Sequence, residues 1–291
     1  MEINENDQKR WKEKLIEILS FFIKYCDSNQ LRYYCCGGTA IGAVRHNGFI
    51  PWDDDIDVYM PRPDYEKFLN EFNDQNYEIM SYNNSSRYCY SFAKLCDKKS
   101  SLIELDTQPY VEGLYIDIFP LDGASNNFCN FKINKTIYAI LQRILIAKTT
   151  PVSLKMMWKA CRQGYYYALT ILPFYVIKPF LARKYLNYMF SRIETKYNYD
   201  QCDNIAIYTG SYGLKEYIPK SWIGEGYNVK FENLEVKIPQ EYDFYLQHFY
   251  GDYMKLPPIE KRKSHHFATY YNLEERVSMD FVEKFLTSNG K

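Results

Sequence analysis

The stretch with the most chemical potential lies in residues 36–60, where four aspartates fall within five positions. They are Asp53, Asp54, Asp55 and Asp57. Carboxylates this close repel one another unless a positive charge lies among them. Asp55 and Asp57 are two positions apart at the start of an apolar run, so in a β-strand both side chains would point to the same face. Two parallel carboxylates are suitable ligands for a hard divalent cation such as Mg²⁺.

Further residues would complete a site for phosphate chemistry. Gly37 and Gly38 join an apolar segment to a short helix, and glycines at a helix N-terminus let backbone N–H groups approach a phosphate. Thr39 is placed to cap this helix, and Arg45 on the same helix is placed to bind a phosphate oxygen. Asp117, within "YIDIF", offers a third carboxylate from a neighbouring strand. The set predicts metal-assisted phosphoryl or nucleotidyl transfer.

Each of these features also has a purely structural interpretation. A Gly-Gly pair before a helix is common, and an Asp-x-Asp pair is often part of a solvated turn. A metal site is favoured because the glycine pair, the Asp-x-Asp pair and Asp117 follow one another on successive apolar segments. The residues leave open whether Asp53 and Asp54 are metal ligands or order the loop, and how many metal ions bind.

The elements that would position these residues alternate between helix and strand. Apolar residues at helical spacing predict a helix over residues 7–27. "LRYYCC", "DIDVYM", "YEIMSY", "YCYSFAKLC" and "LYIDIFPLD" are typical of strands, whereas "TAIGAVRH", "PDYEKFLNEFN" and "QEYDFYLQHFYGDYM" are typical of helices. "YNVKFENLEVKIP" predicts a hairpin that turns near Glu232 and Asn233. We therefore predict an α+β fold, in which a mixed β-sheet core is flanked by helices.

Residues 123–193 have a different composition from the rest of the chain. They contain eleven Lys and Arg and no Asp or Glu, although the 291 residues carry 36 basic and 36 acidic side chains in total. The remainder of the chain therefore carries a net charge of −11. We predict a catalytic core at 1–122, a basic, aromatic helical insertion at 123–196, and the C-terminal part of the catalytic domain at 197–291.

Three interpretations of the basic segment remain open. In the first, the segment lies on an anionic membrane face; in the second, it binds an acidic glycan; in the third, it is a helical cap that packs on the acidic rest of the chain. Nucleic acid is not expected as a partner, because no recognised binding motif accompanies the charge. The polar start is unlike a secretory signal, no run of 18 apolar residues exists, and the cysteine spacing is not that of a zinc site. We expect a cytoplasmic protein, peripheral at the inner face of the plasma membrane if the first interpretation holds.

Three stretches of the sequence resemble one known family. "GGTAIGAVRHNGFIPWDDDIDVYMPRPDYEKF" is similar to the first motif of the LicD family of phosphocholine transferases, which includes the fukutin-related proteins. "YIDIFPLDG" resembles the second motif, and "FENLEVKIPQEYDFYLQHFYGDYMKLPP" the C-terminal one. The resemblance covers roughly residues 30–123 and 205–266, and the combination is specific. No motif is recognised in residues 123–193.

The resemblance implies a nucleotidyltransferase-like core and a reaction. The reaction is transfer of phosphocholine from CDP-choline to a hydroxyl of a cell-surface glycan such as lipopolysaccharide or teichoic acid, either free or linked to a lipid. Asp55, Asp57 and Asp117 would bind Mg²⁺ or Mn²⁺, with Asp117 as third ligand or base, and residues 37–39 would hold the donor's phosphate. Two alternatives stay open: transfer of glycerol, ribitol or ethanolamine phosphate or of a nucleotide, and a non-catalytic glycan- or membrane-binding relative.

Overall fold

A computed structural model describes residues 4–104, 110–149, 172–262 and 268–289. Within these residues, eight α-helices are present: Glu5–Ser28 (α1), Gly37–His46 (α2), Arg62–Glu71 (α3), Phe128–Thr149 (α4), Leu172–Ile177 (α5), Arg183–Glu194 (α6), Tyr242–Tyr250 (α7) and Met279–Asn289 (α8). The strands are Tyr34–Cys35 (β1), Asp57–Pro61 (β2), Tyr77–Met80 (β3), Ala93–Asp97 (β4), Ser101–Ile103 (β5), Tyr115–Ala124 (β6), Asn204–Ala206 (β7), Tyr217–Pro219 (β8), Tyr227–Phe231 (β9), Leu234–Ile238 (β10) and Tyr270–Asn272 (β11).

The centre of the fold is a seven-stranded mixed sheet. Its main path runs β1–β2–β6–β4–β3, and β7 pairs with both β6 and β8. β2 and β6 are parallel, whereas the other pairs in this sheet are antiparallel. The prediction of an α+β fold around one mixed sheet is confirmed. Strands β7 and β8 bring residues from the last third of the chain into the same sheet as residues 34–124.

Helix α1 covers one part of this sheet with the apolar side chains that predicted it. Its buried residues are Trp11, Leu15, Ile18, Leu19, Phe22 and Cys26. Asn4 is the N-cap that precedes the helix, and its side chain accepts a hydrogen bond from the Asp7 N–H at 2.9 Å. Such an N-cap satisfies one of the donors that a helix end leaves without a partner.

The predicted hairpin forms from β9 and β10, and it supports the loop that follows α2. Glu232 in its turn has a left-handed backbone, with φ +55°. The Glu232 N–H donates to the Asn47 carbonyl at 2.8 Å, and its carboxylate accepts from the Phe49 N–H at 3.0 Å. The hairpin therefore fixes the start of the loop that leads to the four aspartates.

Helices α4 and α6 of the basic segment pack on the sheet core through aromatic side chains and a buried ionic cluster. Arg62 Nε lies 2.5 Å from Asp122 Oδ1, and Arg62 Nη1 lies 3.6 Å from Glu194 Oε2. The Tyr138 hydroxyl on α4 donates to the other oxygen of Glu194 at 2.7 Å. All three charged side chains are buried, so the insertion is joined to the core by a desolvated ion cluster rather than by apolar contact alone. None of the described helices combines the length and apolar character needed to cross a membrane.

Candidate active site

Asp57 and Asp117 lie side by side on the two parallel strands of the sheet. They are register partners, and the Asp117 N–H donates to the Ile56 carbonyl at 2.9 Å. On the other side of β6, Lys94 of β4 is the register partner of Asp117. Side chains directly opposite each other share a face of the sheet. Asp57, Asp117 and Lys94 therefore form one row across three strands, which we call the charged row.

Lys94 is the member of the charged row that the sequence interpretation missed. Its buried ammonium lies 3.2 Å from Glu112, 3.4 Å from Glu104 and 3.4 Å from the ring centroid of Tyr115. Burial alone would lower the pKa of Lys94, but the carboxylates of Glu112, Glu104 and Asp117 raise it well above 10.5. The side chain is therefore cationic near neutral pH. A lysine inside the apolar run "FAKLC" is itself a signal, because lysine is rarely fully buried unless it is paired.

A second row of side chains, all aromatic, lies next to the charged row. Tyr59 and Phe119 are register partners two positions further along β2 and β6, so they share the face of Asp57 and Asp117. Their ring centroids are 6.4 Å apart, and the Phe92 ring lies 4.4 Å from that of Phe119. Two residues of strand correspond to a separation of about 6–7 Å. We call Tyr59, Phe119 and Phe92 the aromatic row.

The glycine turn at the start of α2 lies directly against the carboxylates. Gly37 has a left-handed backbone, with φ +56°, and a Cβ added there would lie 2.8 Å from Asp57 Oδ2. A Cβ on Gly38 would collide with the carboxylate of Asp53. Both positions require glycine for close approach, and Gly37 requires it also for its backbone angle. The Gly37 N–H donates to the Tyr245 hydroxyl at 3.4 Å.

The prediction that Thr39 caps α2 is wrong. The helix begins two residues earlier, at Gly37, and its N-cap is Cys36, whose side chain makes no capping bond. The Thr39 hydroxyl instead accepts a hydrogen bond from the Asp57 N–H at 2.9 Å. Thr39 is buried, so its side chain positions the start of β2. A contact between Thr39 and the donor's phosphate stays a prediction.

The loop before β2 gathers a second group of carboxylates. Oxygens of Asp53, Asp54 and Asp55 lie within 4.8 Å of one another, and this is the group of three potential ligands found among the described residues. Asp55 therefore lies in this loop and not on β2, which begins at Asp57, so the prediction that the two side chains share a strand face is wrong. Among the described residues, the oxygens of Asp55, Asp57 and Asp117 do not form such a group. Helix α1 holds the loop from outside, because the Trp11 indole N–H donates to the Asp54 carbonyl at 3.0 Å.

These residues surround a cleft of about 680 Å³. Of the predicted site residues, Gly37, Gly38, Arg45, Asp55 and Asp57 line it. Asp117 and Thr39 are buried behind this lining, beside and beneath Asp57. The aromatic row also faces the cleft. The structure thus places five of the seven predicted residues on the wall of one cleft and the other two directly behind it, while their roles as ligands or catalysts stay predictions.

Arg45 lies at the C-terminal end of α2, where it forms a basic edge of the cleft. It donates to the Tyr253 carbonyl and, through Nε, to His46 Nε2 at 3.0 Å. Burial and the nearby guanidinium of Arg262 lower the pKa of Arg45. Arg262 stacks 5.5 Å from the Trp52 ring. The two guanidinium groups are close enough for the charge of one to affect the pKa of the other, and such a pair favours a bound anion.

The wall facing the glycine turn comes from a distant part of the chain that carried no predicted site residue. It consists of Ile207, residues 209–212, Glu216 and Tyr250 at the end of α7. The Tyr212 ring packs edge-on against Phe249 and Tyr250, at centroid distances of 5.4 and 5.5 Å. We call residues 207–212 the wall loop.

Comparisons with known protein sequences show the family of this chain. The family description "LicD/FKTN/FKRP, nucleotidyltransferase domain" matches residues 30–149. The lipopolysaccharide cholinephosphotransferase LicD of Haemophilus influenzae is 30% identical over 271 residues, which cover 89% of this chain and 95% of that protein. The chain belongs to the LicD family. It is accordingly a transferase with a nucleotidyltransferase-like α+β fold, and the non-catalytic alternative is set aside.

Shorter matches occur with two uncharacterised proteins. One, from Rickettsia typhi, is 39% identical over 54 residues, 18% of each chain. The other, from Rickettsia prowazekii, is 29% identical over 104 residues, 32% of this chain and 39% of that protein. All predicted site residues of this LicD-family chain lie within the segment 30–149 that the family description matches.

Proposed function

We propose that this LicD-family transferase moves phosphocholine from CDP-choline to a hydroxyl group of a cell-surface glycan, such as lipopolysaccharide or teichoic acid. The observation that carries the proposal is the adjacency of the charged row and the aromatic row on one face of the sheet. The Haemophilus influenzae relative is named for cholinephosphate transfer to lipopolysaccharide, which agrees with it.

The charged end of the cleft suits the phosphates of the donor. The glycine turn presents the N-terminus of α2, and Arg45 supplies a guanidinium at the other end of that helix. Both favour bound anions. Asp55, Asp57 and Asp117 offer the carboxylate oxygens that Mg²⁺ or Mn²⁺ prefers, and an ion held there would neutralise charge on the phosphate oxygens.

The aromatic end suits a quaternary ammonium group. Cations bind over aromatic faces, and desolvated contacts contribute about 2 kcal/mol. The two rows are separated by about 6–7 Å along the strands. The separation between phosphorus and nitrogen in phosphocholine is of the same order. The phosphate can therefore lie at Asp57 while the ammonium group lies at Phe119. Glycerol and ribitol phosphates carry no such cation, and the aromatic row offers them little.

The proposed reaction is an in-line displacement at phosphorus. The acceptor hydroxyl oxygen forms a bond to the phosphocholine phosphorus, and the bond from that phosphorus to the CMP oxygen breaks. The hydroxyl proton passes to Asp117 or to a carboxylate beside it. CMP leaves with the electron pair of the broken bond, and Arg45 stabilises the negative charge on the phosphate oxygens.

The direct test is CMP release from a panel of CDP-linked donors. Purified protein is incubated with Mg²⁺, a glycan acceptor and the choline, ethanolamine, glycerol or ribitol ester of CDP. We expect release from CDP-choline, and a loss of at least about a hundredfold in Asp57→Asn. The exposed Asp280→Asn is the matched control. Release from only the glycerol or ribitol donor, or full activity of Asp57→Asn, would contradict the proposal.

A second test addresses the headgroup. Phe92→Leu removes one face of the aromatic row and should raise KM for CDP-choline by about 2- to 30-fold, with a smaller change in kcat. Phe244→Leu is the control, because Phe244 is 60% exposed on α7 and does not line the cleft. An unchanged KM in Phe92→Leu would place the choline group elsewhere.

We also propose that the outer side of α4 contacts an anionic membrane that presents a lipid-linked acceptor. Ile133, Ile137 and Ile140 form an exposed apolar stripe at helical spacing, with exposed fractions of 57, 38 and 41%. Lys132 and Arg143 lie on the same helix, and no acidic residue occurs in 123–193. An apolar stripe flanked by basic side chains is typical of helices that lie in the membrane interface.

Vesicle co-sedimentation tests this contact. We expect binding to vesicles containing phosphatidylglycerol, weaker binding to pure phosphatidylcholine vesicles, and release by high salt. Replacing Ile133, Ile137 and Ile140 by Ser should abolish binding, whereas Phe244→Ser should not. Equal binding to both vesicle types, or unchanged binding by the folded triple variant, would remove the membrane proposal and leave the transferase proposal intact.

A further inference from the structure

A lysine of the basic insertion reaches the back of the cleft wall. Lys135 projects from α4, and its ammonium donates to the carbonyls of Ile207 at 3.0 Å, Tyr208 at 2.9 Å and Gly210 at 3.0 Å. It also donates to the carboxylate of Glu216. These four acceptors share three ammonium hydrogens, so the group is fully satisfied. Three of them are backbone atoms of the wall loop.

Glu216 closes the loop from its other end. One of its oxygens binds Lys135, and the other accepts from the Tyr212 N–H at 2.9 Å. The Glu216 carbonyl accepts from the Ile207 N–H at 3.0 Å. Glu216 is fully buried, and a Cβ on Gly210 would collide with its carboxylate. The wall loop is thus folded around a single buried ion pair.

The position of the loop decides where aromatic groups stand in the cleft. Tyr212 ends the loop and packs on Tyr250, whose hydroxyl lies 3.6 Å from the site of a Cβ added to Gly37. Contacts therefore run from Lys135 through the loop to Tyr212 and Tyr250, and end at the glycine turn. Lys135 itself does not line the cleft, whereas its partner Glu216 does.

We propose that Lys135 is a positioning residue for the donor-binding cleft, through which the helical insertion sets the geometry of the wall loop. The inference rests on the proposed function for its substrate and on the hydrogen bonds above for its geometry. It gives the insertion a role in the reaction that no motif in residues 123–193 indicated.

The experiment separates positioning from mere stability. Lys135→Met leaves Glu216 buried without its cation, so that variant should be much less stable. The double variant Lys135→Met/Glu216→Leu replaces the pair with apolar groups, an exchange that is often neutral or stabilising. We expect the double variant to recover the melting temperature of the wild type while its KM for CDP-choline stays raised about tenfold. Because Glu216 lines the cleft, Lys135→Met, which keeps Glu216, is also assayed well below its melting temperature and should show the same rise in KM. Lys9→Met, an exposed lysine of α1, is the control.

Hydrogen exchange supplies a readout that does not depend on the substrate. The Tyr212 amide should exchange at least about tenfold faster in the double variant, because its acceptor Glu216 is gone and the loop carbonyls have lost their donor. The proposal would be overturned if the double variant had the KM of the wild type and the amides of residues 207–211 exchanged as slowly as they do in the wild type. If the wild type releases no CMP from CDP-choline, the proposed function fails, and exchange across residues 207–211 still decides the role of Lys135.

Discussion

Replacing Gly37 by alanine tests whether glycine is needed at this position only for its backbone conformation or also to leave room for the Asp57 carboxylate. Gly37 has φ +56°, a left-handed conformation that costs an L-residue about 1–2 kcal/mol. Its added Cβ would lie 2.8 Å from Asp57 Oδ2, where ordinary contact begins at 3.4 Å, so the carboxylate must move by about 0.6 Å. A misplacement of about 1 Å at a reacting centre can reduce the rate about a hundredfold. We therefore expect kcat to fall by about tenfold or more.

Gly213 supplies the matched control. It has φ +64°, and a Cβ added there meets nothing within 4 Å. Gly213→Ala should therefore carry the same backbone penalty as Gly37→Ala without moving a carboxylate. Both variants should lower the melting temperature by about 2–8 °C, but only Gly37→Ala should lose CMP release.

The assay compares the two variants at a temperature well below both transitions. Thermal unfolding gives the stability of each, and CMP release at saturating CDP-choline gives kcat. Equal activity of the two alanine variants would refute the inference that Gly37 is required for the position of Asp57. A large loss of activity in Gly213→Ala would show instead that the assay reports stability.

Three further substitutions test the buried polar contacts. Arg62→Met leaves the carboxylate of Glu194 buried without its cation, so urea unfolding should show a loss of about 3–5 kcal/mol, and a loss below about 1 kcal/mol would contradict the ion cluster. Thr39→Val removes the acceptor of the Asp57 N–H and should cost about 1–3 kcal/mol, whereas Thr39→Ser should restore the wild-type value. Lys94→Met should likewise destabilise by about 3–5 kcal/mol, because the carboxylates around Lys94 remain buried, and an unchanged unfolding midpoint would refute its structural role.

The parts of the site that follow from local pattern were predictable. Alternation of apolar residues placed Asp57 and Asp117 on strands with defined faces, and the glycine pair marked the start of a helix. Turn chemistry located the hairpin at Glu232, where the structure has a positive φ. Each of these inferences needed only a few consecutive residues.

The parts that depend on contacts between distant segments were not predictable from one sequence. Thr39 had the composition of a cap, but the helix starts earlier and its hydroxyl meets a strand 18 positions away. Lys135 looked like one of eleven basic residues in a charged segment, and only the fold places it against residues 207–216. Burial converts such a side chain from a surface charge into a structural one, and burial is decided by the whole chain.

The ion cluster of Arg62, Asp122 and Glu194 has a consequence for engineering the helical insertion. The cluster draws one residue from each of three segments, α3, β6 and α6. In a chimera whose inserted segment lacked an acid at the place of Glu194, Arg62 would keep its pairing with Asp122, but the buried Tyr82 hydroxyl of the core would lose the acceptor that it now has at 3.0 Å. Replacements of the insertion should therefore be better tolerated when the incoming segment carries an acid at this position, because a buried hydroxyl left without an acceptor is destabilising.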